Sequence, residues 1–214
     1  MYNSTLVRSV LSGLGAIATS FVMASAAQAA QSGTFVAIDP PQATASGDKI
    51  EVLEFFQYGC PHCRAMEPLV EGWEKKQESD VQLQRVPVAF NASMAPWQHL
   101  YYSLEGMGRL DLQTAVFNAV QTERNPLNSR ERVVEWAEKQ GLDKAKFESM
   151  YDSFGVGTKV NRANQLIQAY KLESVPTMVV NGSYMTSPAL ANGYPQTLEV
   201  VSSLVEAVRN NSKP

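Results

Sequence analysis

The segment from Lys49 to Gln77 reads KIEVLEFFQYGCPHCRAMEPLVEGWEKKQ and decides the fold class of this chain. Its first part, Lys49–Gln57, is almost continuously apolar, which predicts a β-strand that is covered on both faces. From Cys60 onward the apolar residues follow helical spacing and form one stripe of Met66, Leu69, Val70 and Trp73. A second strand is predicted at Val81–Phe90, so the segment begins a strand–helix–strand unit of an α/β sheet.

The predicted helix opens with the motif Cys60-Pro61-His62-Cys63. Positions i and i+3 share a face of the first helical turn, so the two sulfurs can come within bonding distance. Proline suits the first helical position, where no backbone donor is missed. The unpaired N–H groups and the positive dipole end favour a thiolate on Cys60, and a protonated His62 adds to that field. We expect Cys63, one turn further in, to be more buried and less reactive.

Two other uses of the motif are a static structural disulfide and a zinc site. A disulfide that closes so small a loop contributes little on loop-closure grounds. A zinc site would need both histidines of the chain. His62, however, lies about 200° round the helix from Cys60, and His99 stands alone far along the chain. The spacing therefore favours a redox-active dithiol, and we expect no metal and no cofactor.

The chain after the second strand is helical in pattern as far as Tyr170. Apolar spacing predicts several helices in this block, among them one that Ser129 caps. Another is predicted to begin at Asp143 and to end at Gly155, because glycine commonly follows the last turn of a helix. No strand pattern interrupts this block, which indicates a helical unit inside the α/β sequence.

Strand patterns return after Val175-Pro176. Two short runs, Thr177–Val180 and Ser183–Met185, flank Asn181-Gly182, and this arrangement is a strong hairpin signal. A last amphipathic helix is predicted at Gln196–Arg209. A short edge strand is also predicted at Thr34–Ile38, and Thr158–Tyr170 is predicted to form a helix of its own. The predicted order of elements is thus β, β, α, β, a helical block, α, β, β, α.

The N-terminal segment has the pattern of a signal peptide. One positive charge, Arg8, precedes the mostly apolar run Ser9–Ala24, and Ala27-Gln28-Ala29 matches the small-x-small sequence before a cleavage site. The alternative is an uncleaved membrane anchor, but the run is shorter than the ~20 apolar residues of a spanning helix. We therefore expect cleavage after Ala29 and export to a compartment where disulfides form and persist.

Charge and length exclude other classes. The 214 residues carry 18 Lys and Arg against 21 Asp and Glu, a formal net charge of −3. A mildly acidic chain without a block of basic residues is a poor candidate for binding nucleic acid, so we expect no nucleic-acid partner. The length suits one domain of ordinary size, with room for a subdomain.

Taken together, these motifs resemble the DsbA family of exported thiol:disulfide oxidoreductases, which have a thioredoxin-like fold. The resemblance rests on LEFF followed by CPHC, on Pro68, on SVPTMVVNG and on the helical block. It implies an α/β, thioredoxin-like fold with an inserted helical subdomain. The expected division is a signal peptide at residues 1–29, a thioredoxin-like domain at 30–92 and 157–214, and the insert at 93–156.

The resemblance also implies roles for single residues. Cys60 would be the reactive nucleophile and Cys63 its buried partner, while Val175 and Pro176 would form the cis-proline loop that faces the disulfide and binds substrate. Glu54 would be the buried acid beneath the active site.

Independent physical arguments support a role for Glu54. It shares a strand face with Ile50, Val52 and Phe56, where a charge is costly. Burial should raise its pKa, so that it can exchange a proton with Cys63. The resemblance places Arg85 of the second strand as its basic partner.

The function that the resemblance implies is a periplasmic protein-thiol oxidase. Its substrates would be unfolded, cysteine-containing exported proteins, a DsbB-type membrane protein would reoxidise it, and it would act as a monomer. A disulfide isomerase or reductase would use the same motif, but exported isomerases of this fold usually carry an added dimerisation domain. A redox-linked metal chaperone would need a third ligand, and a peptide-binding chaperone would not require the cysteines.

Overall fold

A computed structural model of the chain describes residues 33–212 and Pro214. The strands within these residues are β1 (Val36–Ala37), β2 (Ile50–Phe56), β3 (Val81–Pro87), β4 (Thr177–Val180) and β5 (Tyr184–Thr186). They form one five-stranded sheet in the order β1–β5–β4–β2–β3. The predicted signal peptide and its cleavage after Ala29 lie outside the described residues.

β2 lies inside the sheet, and each of its residues is buried. It pairs in parallel with β3 and antiparallel with β4. Because neighbouring strands and both faces of the sheet cover it, only a nearly continuous apolar run suits this position. β3 ends at Pro87, before the predicted end at Phe90, because the chain turns there towards a short 3₁₀ helix at Ala92–Met94.

The helices of the described part are α1 (Pro61–Glu74), α2 (Ala95–Gly106), α3 (Gln113–Gln121), α4 (Arg130–Lys139), α5 (Lys144–Tyr151), α6 (Phe154–Ala169), α7 (Pro188–Ala191) and α8 (Tyr194–Arg209). α2 to α6 follow one another between β3 and β4, where the sequence predicts a helical block. The expected boundary between residues 156 and 157 falls inside α6, so no break in secondary structure marks it. Within the described residues, none of the helices has both the length and the apolar character that crossing a membrane requires.

The predicted end of a helix at Gly155 is wrong. α5 ends at Tyr151, and α6 begins at Phe154, so Gly155 lies in the first turn of the next helix. The reason is a cap that the sequence reasoning overlooked, since the Ser153 side chain accepts a hydrogen bond from the backbone N–H of Val156. The predicted caps at Ser129 and Asp143 are confirmed by the same kind of bond.

The two faces of the sheet are covered by different layers. On one face, alternate β2 residues pack against α1 and α8 in a cluster that includes Ile50, Val52, Val70 and Val201. On the other face, Leu53 and Phe55 pack against the helices of the insert. Glu54 shares the face of Ile50 and Val52, because side chains alternate along a strand. α1 therefore leads from the end of β2 across the side of the sheet on which Glu54 lies.

Candidate active site

The redox motif sits where β2 has ended and α1 begins. Cys60 is the N-cap residue of α1 and Pro61 its first residue, as the sequence predicts. Cys60 has extended backbone angles, and its sulfur lies near the backbone N–H groups of His62 and Cys63 in the first turn. Both cysteines are free thiols in this structure.

The thiol of Cys60 is half-buried and strongly acidic. Its pKa falls to about 6, first because the Cys63 side chain hydrogen-bonds to it, and then because of the backbone N–H groups of Cys63 and His62 and the charge of His62. Partial burial opposes this change. The Cys60 sulfur also lies 3.4 Å from the carbonyl oxygen of Val175, to which its thiol donates. A nucleophilic thiolate is therefore available at neutral pH.

Cys63 is the opposite case. It is 0% exposed, and burial raises its pKa far above the ordinary value for a thiol. Its hydrogen bond to Cys60 and the negative charges of Cys60 and Glu54 raise the pKa further. Of the pair, only Cys60 is suited to remain charged when the two are reduced.

His62 points into solvent beside a groove. Its Nδ1 atom lies 2.6 Å from the hydroxyl of Tyr194, the first residue of α8. The groove has a volume of about 420 Å³ and is lined by His62, Ser174, Val175, Pro176, Ser187, Pro188, Ala189, Gly193 and Tyr194. Cys60 borders it through its contact with Val175.

The peptide bond between Val175 and Pro176 is cis. This bond agrees with the expectation from the family resemblance, and the loop faces the redox motif through the Val175 carbonyl. Cys60, His62, Val175 and Pro176 are thus brought together around one groove, although the two pairs are more than a hundred positions apart in the chain.

Glu54 lies on the other side of the motif and is 0% exposed. Its pKa is raised to about 8, mainly by burial and then by the neighbouring charge of Glu67, while Arg85 opposes the shift. The Arg85 Nε atom lies 3.2 Å from the Glu54 carboxylate, but neither atom makes a well-directed hydrogen bond. The contact is explained by the register of the sheet, since Glu54 and Arg85 are direct partners in the parallel β2–β3 pair.

Glu67 is a second buried acid, which the sequence reasoning missed. It is 4% exposed, burial raises its pKa, and one carboxylate oxygen lies 3.6 Å from Arg85 Nε. The more exposed Glu74 also pairs with Arg85, at 3.0 Å. Glu67 could have been found from the sequence, because it follows Cys63 by one helical turn on the buried stripe of α1.

Gln121, at the end of α3, is another residue that sequence reasoning missed. Its side-chain nitrogen donates to the backbone carbonyls of Tyr58, at 2.6 Å, and of Cys60, at 3.1 Å. Arg64 of α1 reaches back to the same part of the insert and donates to Asn118 and Thr122. No local pattern reveals such contacts.

Among the residues that the structure describes, no three His, Cys, Asp or Glu side chains are grouped so that they could hold a metal ion.

Comparison with known proteins gives a consistent result. Residues 51–193 match the family model of the DSBA-like thioredoxin domain. The chain is 48% identical over 206 residues to the thiol:disulfide interchange protein DsbA of Bordetella parapertussis, covering 96% of this chain and 98% of the relative. Its identity with the DsbA of Burkholderia cepacia is 39% over 207 residues, covering 96% and 97%.

A solved structure shows the same fold. The crystal structure of Pseudomonas aeruginosa DsbA superposes with a TM-score of 0.80 at 36% identity, covering 84% of this chain and 94% of that one. With the Cys60–Cys63 pair at the start of α1, the chain belongs to the DsbA family of thiol:disulfide interchange proteins, thioredoxin-like oxidoreductases of disulfide bond formation.

Proposed function

We propose that the chain acts in the oxidising direction, as a dithiol oxidase that transfers its Cys60–Cys63 disulfide to unfolded exported proteins. The observation that carries this proposal is the opposite shift of the two thiol pKa values within one helical turn. Each pKa unit by which a thiol lies below ambient pH stabilises the reduced enzyme by about 1.4 kcal/mol, or about 30 mV for a two-electron couple. A stabilised reduced state makes the disulfide a stronger oxidant.

The proposed cycle assigns each cysteine one role. A substrate thiolate attacks the Cys60 sulfur, the Cys60–Cys63 bond breaks, and the Cys63 sulfur leaves and takes up a proton. A second substrate thiolate then attacks the substrate sulfur of the mixed disulfide and expels Cys60 as a thiolate. The substrate loses two electrons, and the enzyme gains them as a dithiol. Cys60 is the better leaving group because its pKa is about 6.

Glu54 is proposed as the proton donor to Cys63 in the first step. Its pKa of about 8 keeps most of its carboxyl groups protonated at neutral pH, so that a proton is available beside a buried sulfur. His62 is proposed to stabilise the Cys60 thiolate by its charge and its backbone N–H. Both roles agree with electrostatics. A buried carboxyl group that stays protonated can donate a proton, and a positively charged histidine stabilises a nearby anion.

Val175 and Pro176 are proposed as the substrate-binding loop. The Val175 carbonyl lies 3.4 Å from the attacked sulfur, and both residues line the groove of about 420 Å³. An extended peptide that hydrogen-bonds to the backbone of this loop would place its cysteine at Cys60 with little demand on neighbouring side chains. Low sequence specificity suits an enzyme with many substrates.

The cell biology proposed for the chain follows from the family and the N-terminal sequence. We place the enzyme in the periplasm as a monomer, after cleavage behind Ala29, and we propose a DsbB-type membrane protein as its reoxidant. We propose that residues 30–92 and 157–214 form one folding unit, the thioredoxin-like domain, and that residues 93–156 form a second unit, the insert.

The reduction potential of the Cys60–Cys63 couple, measured against glutathione, tests the proposal. We expect a value well above the potential of thioredoxin, about −270 mV, and rapid oxidation of a reduced, unfolded protein by the disulfide form. A potential at or below that of thioredoxin, or disulfide reshuffling faster than net oxidation, would show that the chain works as a reductase or an isomerase instead.

A further inference from the structure

Tyr194 stands at a position that the reaction scheme does not use. It is the first residue of α8, and its ring packs against the apolar cluster between α1, α8 and the sheet. Its hydroxyl extends from this anchored ring to within 2.6 Å of His62 Nδ1. His62 itself is exposed, so without this contact its side chain would be free to rotate away from the start of α1.

The hydroxyl of tyrosine can serve both charge states of histidine. A neutral imidazole can accept the phenolic O–H at Nδ1, whereas an imidazolium donates its Nδ1–H to the phenolic oxygen. The charge of His62 lowers the pKa of Cys60, so a ring held at this place stabilises the thiolate of the reduced enzyme. The disulfide form has no thiolate for that charge to stabilise. The contact with Tyr194 therefore acts on the redox pair through the position of the His62 ring.

Without the hydroxyl, the exposed His62 ring would spend less time where its charge acts on the sulfur. A contact that holds the ring there helps only the state that carries the thiolate, and it therefore shifts the redox equilibrium towards the dithiol. We propose that Tyr194 is a positioning residue of the redox reaction, which holds the His62 ring by the hydroxyl–Nδ1 hydrogen bond and stabilises the reduced enzyme more than the disulfide form. This inference rests on the proposed role of Cys60 as the thiolate.

In the described part of the chain, few ionisable groups other than Cys60 and Tyr194 lie around His62. The groove residues contributed by the loop at 174–176 and by the segment at 187–193 are serine, valine, proline, alanine and glycine, none of which titrates. From α1 the ionisable neighbours are Cys60, whose pKa is lowered partly by the charge of His62, and the buried Cys63. From α8 the partner is Tyr194. Within the described groove, then, the Cys60 sulfur and the Tyr194 hydroxyl are the ionisable groups that bear on the His62 ring.

The test is Tyr194→Phe, which keeps the ring and removes the hydroxyl. We expect the equilibrium constant for oxidation of glutathione by the disulfide form to fall about two- to fivefold, as for the loss of one modest hydrogen bond. The thiolate absorbance of Cys60 should titrate at higher pH by the corresponding few tenths of a unit. Tyr184→Phe is the matched control, because Tyr184 lies in β5 with its ring against Phe35 and outside the groove, and it should change neither quantity.

A double-mutant cycle decides whether Tyr194 acts through His62. In a His62→Ser background, Tyr194→Phe should have no further effect on the equilibrium constant. An equal effect in both backgrounds, or no effect of Tyr194→Phe in the parent protein, would overturn the inference.

Two further readouts keep the question separate from folding and from the proposed function. In the unmodified protein, the NMR signals of the His62 ring should show a hydrogen-bonded Nδ1 in both redox states, and an Nδ1 without such a bond in the reduced state would also overturn the inference. The absolute potential of the parent enzyme tests the proposed function. The difference between parent and variant tests Tyr194, so each can fail alone.

Discussion

Cys60 and Cys63 are separated by one helical turn, yet their surroundings have opposite chemistry. Cys60 faces backbone N–H groups, His62 and an open groove, and its pKa falls to about 6. Cys63 faces the protein interior, where burial and the charges of Cys60 and Glu54 raise its pKa. The difference shows that hydrogen-bond partners and burial, which change completely within one helical turn, set the acidity of each thiol.

The largest effect is expected from replacing the cysteines one at a time. Cys60→Ser should abolish oxidase activity, because no sulfur remains in the groove. Cys63→Ser should also lose turnover but keep an iodoacetamide-reactive thiolate at Cys60, because the serine hydroxyl can still donate a hydrogen bond to that sulfur. An oxidation assay measures turnover, and alkylation followed by mass spectrometry measures the labelling. Equal labelling of the two cysteines in the reduced parent would contradict the comparison.

Pro176→Thr should have the next largest effect. Proline lacks an N–H, whereas threonine brings an N–H and a hydroxyl close to the loop that contacts the Cys60 sulfur. These groups can compete for the sulfur and displace the attacking substrate thiol, and misplacement of this kind slows a reaction by about ten- to a hundredfold. Mixed disulfides through Cys60 should accumulate in cells and disappear on reduction.

The control for that variant is Pro40→Thr, in the loop after β1 and outside the lining of the groove. It should leave the level of mixed disulfides unchanged. Normal resolution of mixed disulfides by Pro176→Thr would remove Pro176 from the proposed substrate-binding site.

His62→Ser tests how much the charge of His62 contributes to the low pKa of Cys60. Loss of the imidazolium should raise the pKa of Cys60 above its value of about 6. At a pH well above both pKa values, a rise of one unit corresponds to a tenfold smaller equilibrium constant for oxidation of glutathione, about 1.4 kcal/mol. The pH dependence of the thiolate absorbance measures the shift, and Cys63 should remain unreactive. An unchanged titration would mean that the backbone alone sets the acidity of Cys60.

Glu54→Gln tests the side of Cys63 and should have the smallest effect on rate. Exchange at neutral pH should slow severalfold, which is less than the ~100-fold or more that a general acid typically contributes, because solvent can partly replace the proton donor. Stopped-flow fluorescence of the disulfide form with a reduced peptide measures it. Glu51→Gln is the matched control, because Glu51 also lies in β2 but bonds to Ala45 and Ser46 on the other face, and it should leave the rate unchanged.

The same variant has a pH signature in stability. Folding raises the pKa of Glu54 from 4.5 to about 8, so the folded state binds its proton more tightly than the unfolded state does. The carboxyl group therefore costs no stability below pH 4.5, and the cost grows until the pH passes 8. Relative to the parent, the free energy of unfolding of Glu54→Gln should rise by about 1.4 kcal/mol per pH unit between these limits. A difference that does not vary with pH would mean that Glu54 ionises normally.

Most of the fold could be predicted because its signals are local. The buried strand β2 and the helix that follows it are visible in one run of residues, and the Asn181-Gly182 turn identifies the β4–β5 hairpin. The pairing of Glu54 with Arg85 could also be expected before the structure, from the family resemblance, and the parallel register of β2 and β3 makes the two residues neighbours. The boundary between α5 and α6 was not, because Gly155 and Ser153 give competing end and start signals two residues apart.

The sequence predicted the cysteine motif of the candidate site, but not the distant residues that contact the motif. The reactive motif is contiguous in sequence, whereas Tyr194 meets His62 across 132 positions and Gln121 meets Tyr58 across 63. Such pairs depend on how the helices of the insert and the last helix pack, which a single sequence does not reveal. Glu67 is the exception, because an acid on the buried stripe of a helix is a visible departure from its pattern.

The hydrogen bonds between α3 and the redox motif have a consequence for protein engineering. Gln121 donates hydrogen bonds to the backbone carbonyls of Tyr58 and Cys60, and Arg64 donates one to the side chain of Thr122, 58 positions away along the chain. The end of α3 is therefore bonded to the redox motif, although the two segments are not adjacent in sequence. A chimera that receives only the four motif residues of another family member combines that motif with the α3 contacts of this chain. An exchange that also includes the end of α3 would move the motif together with its hydrogen-bond partners.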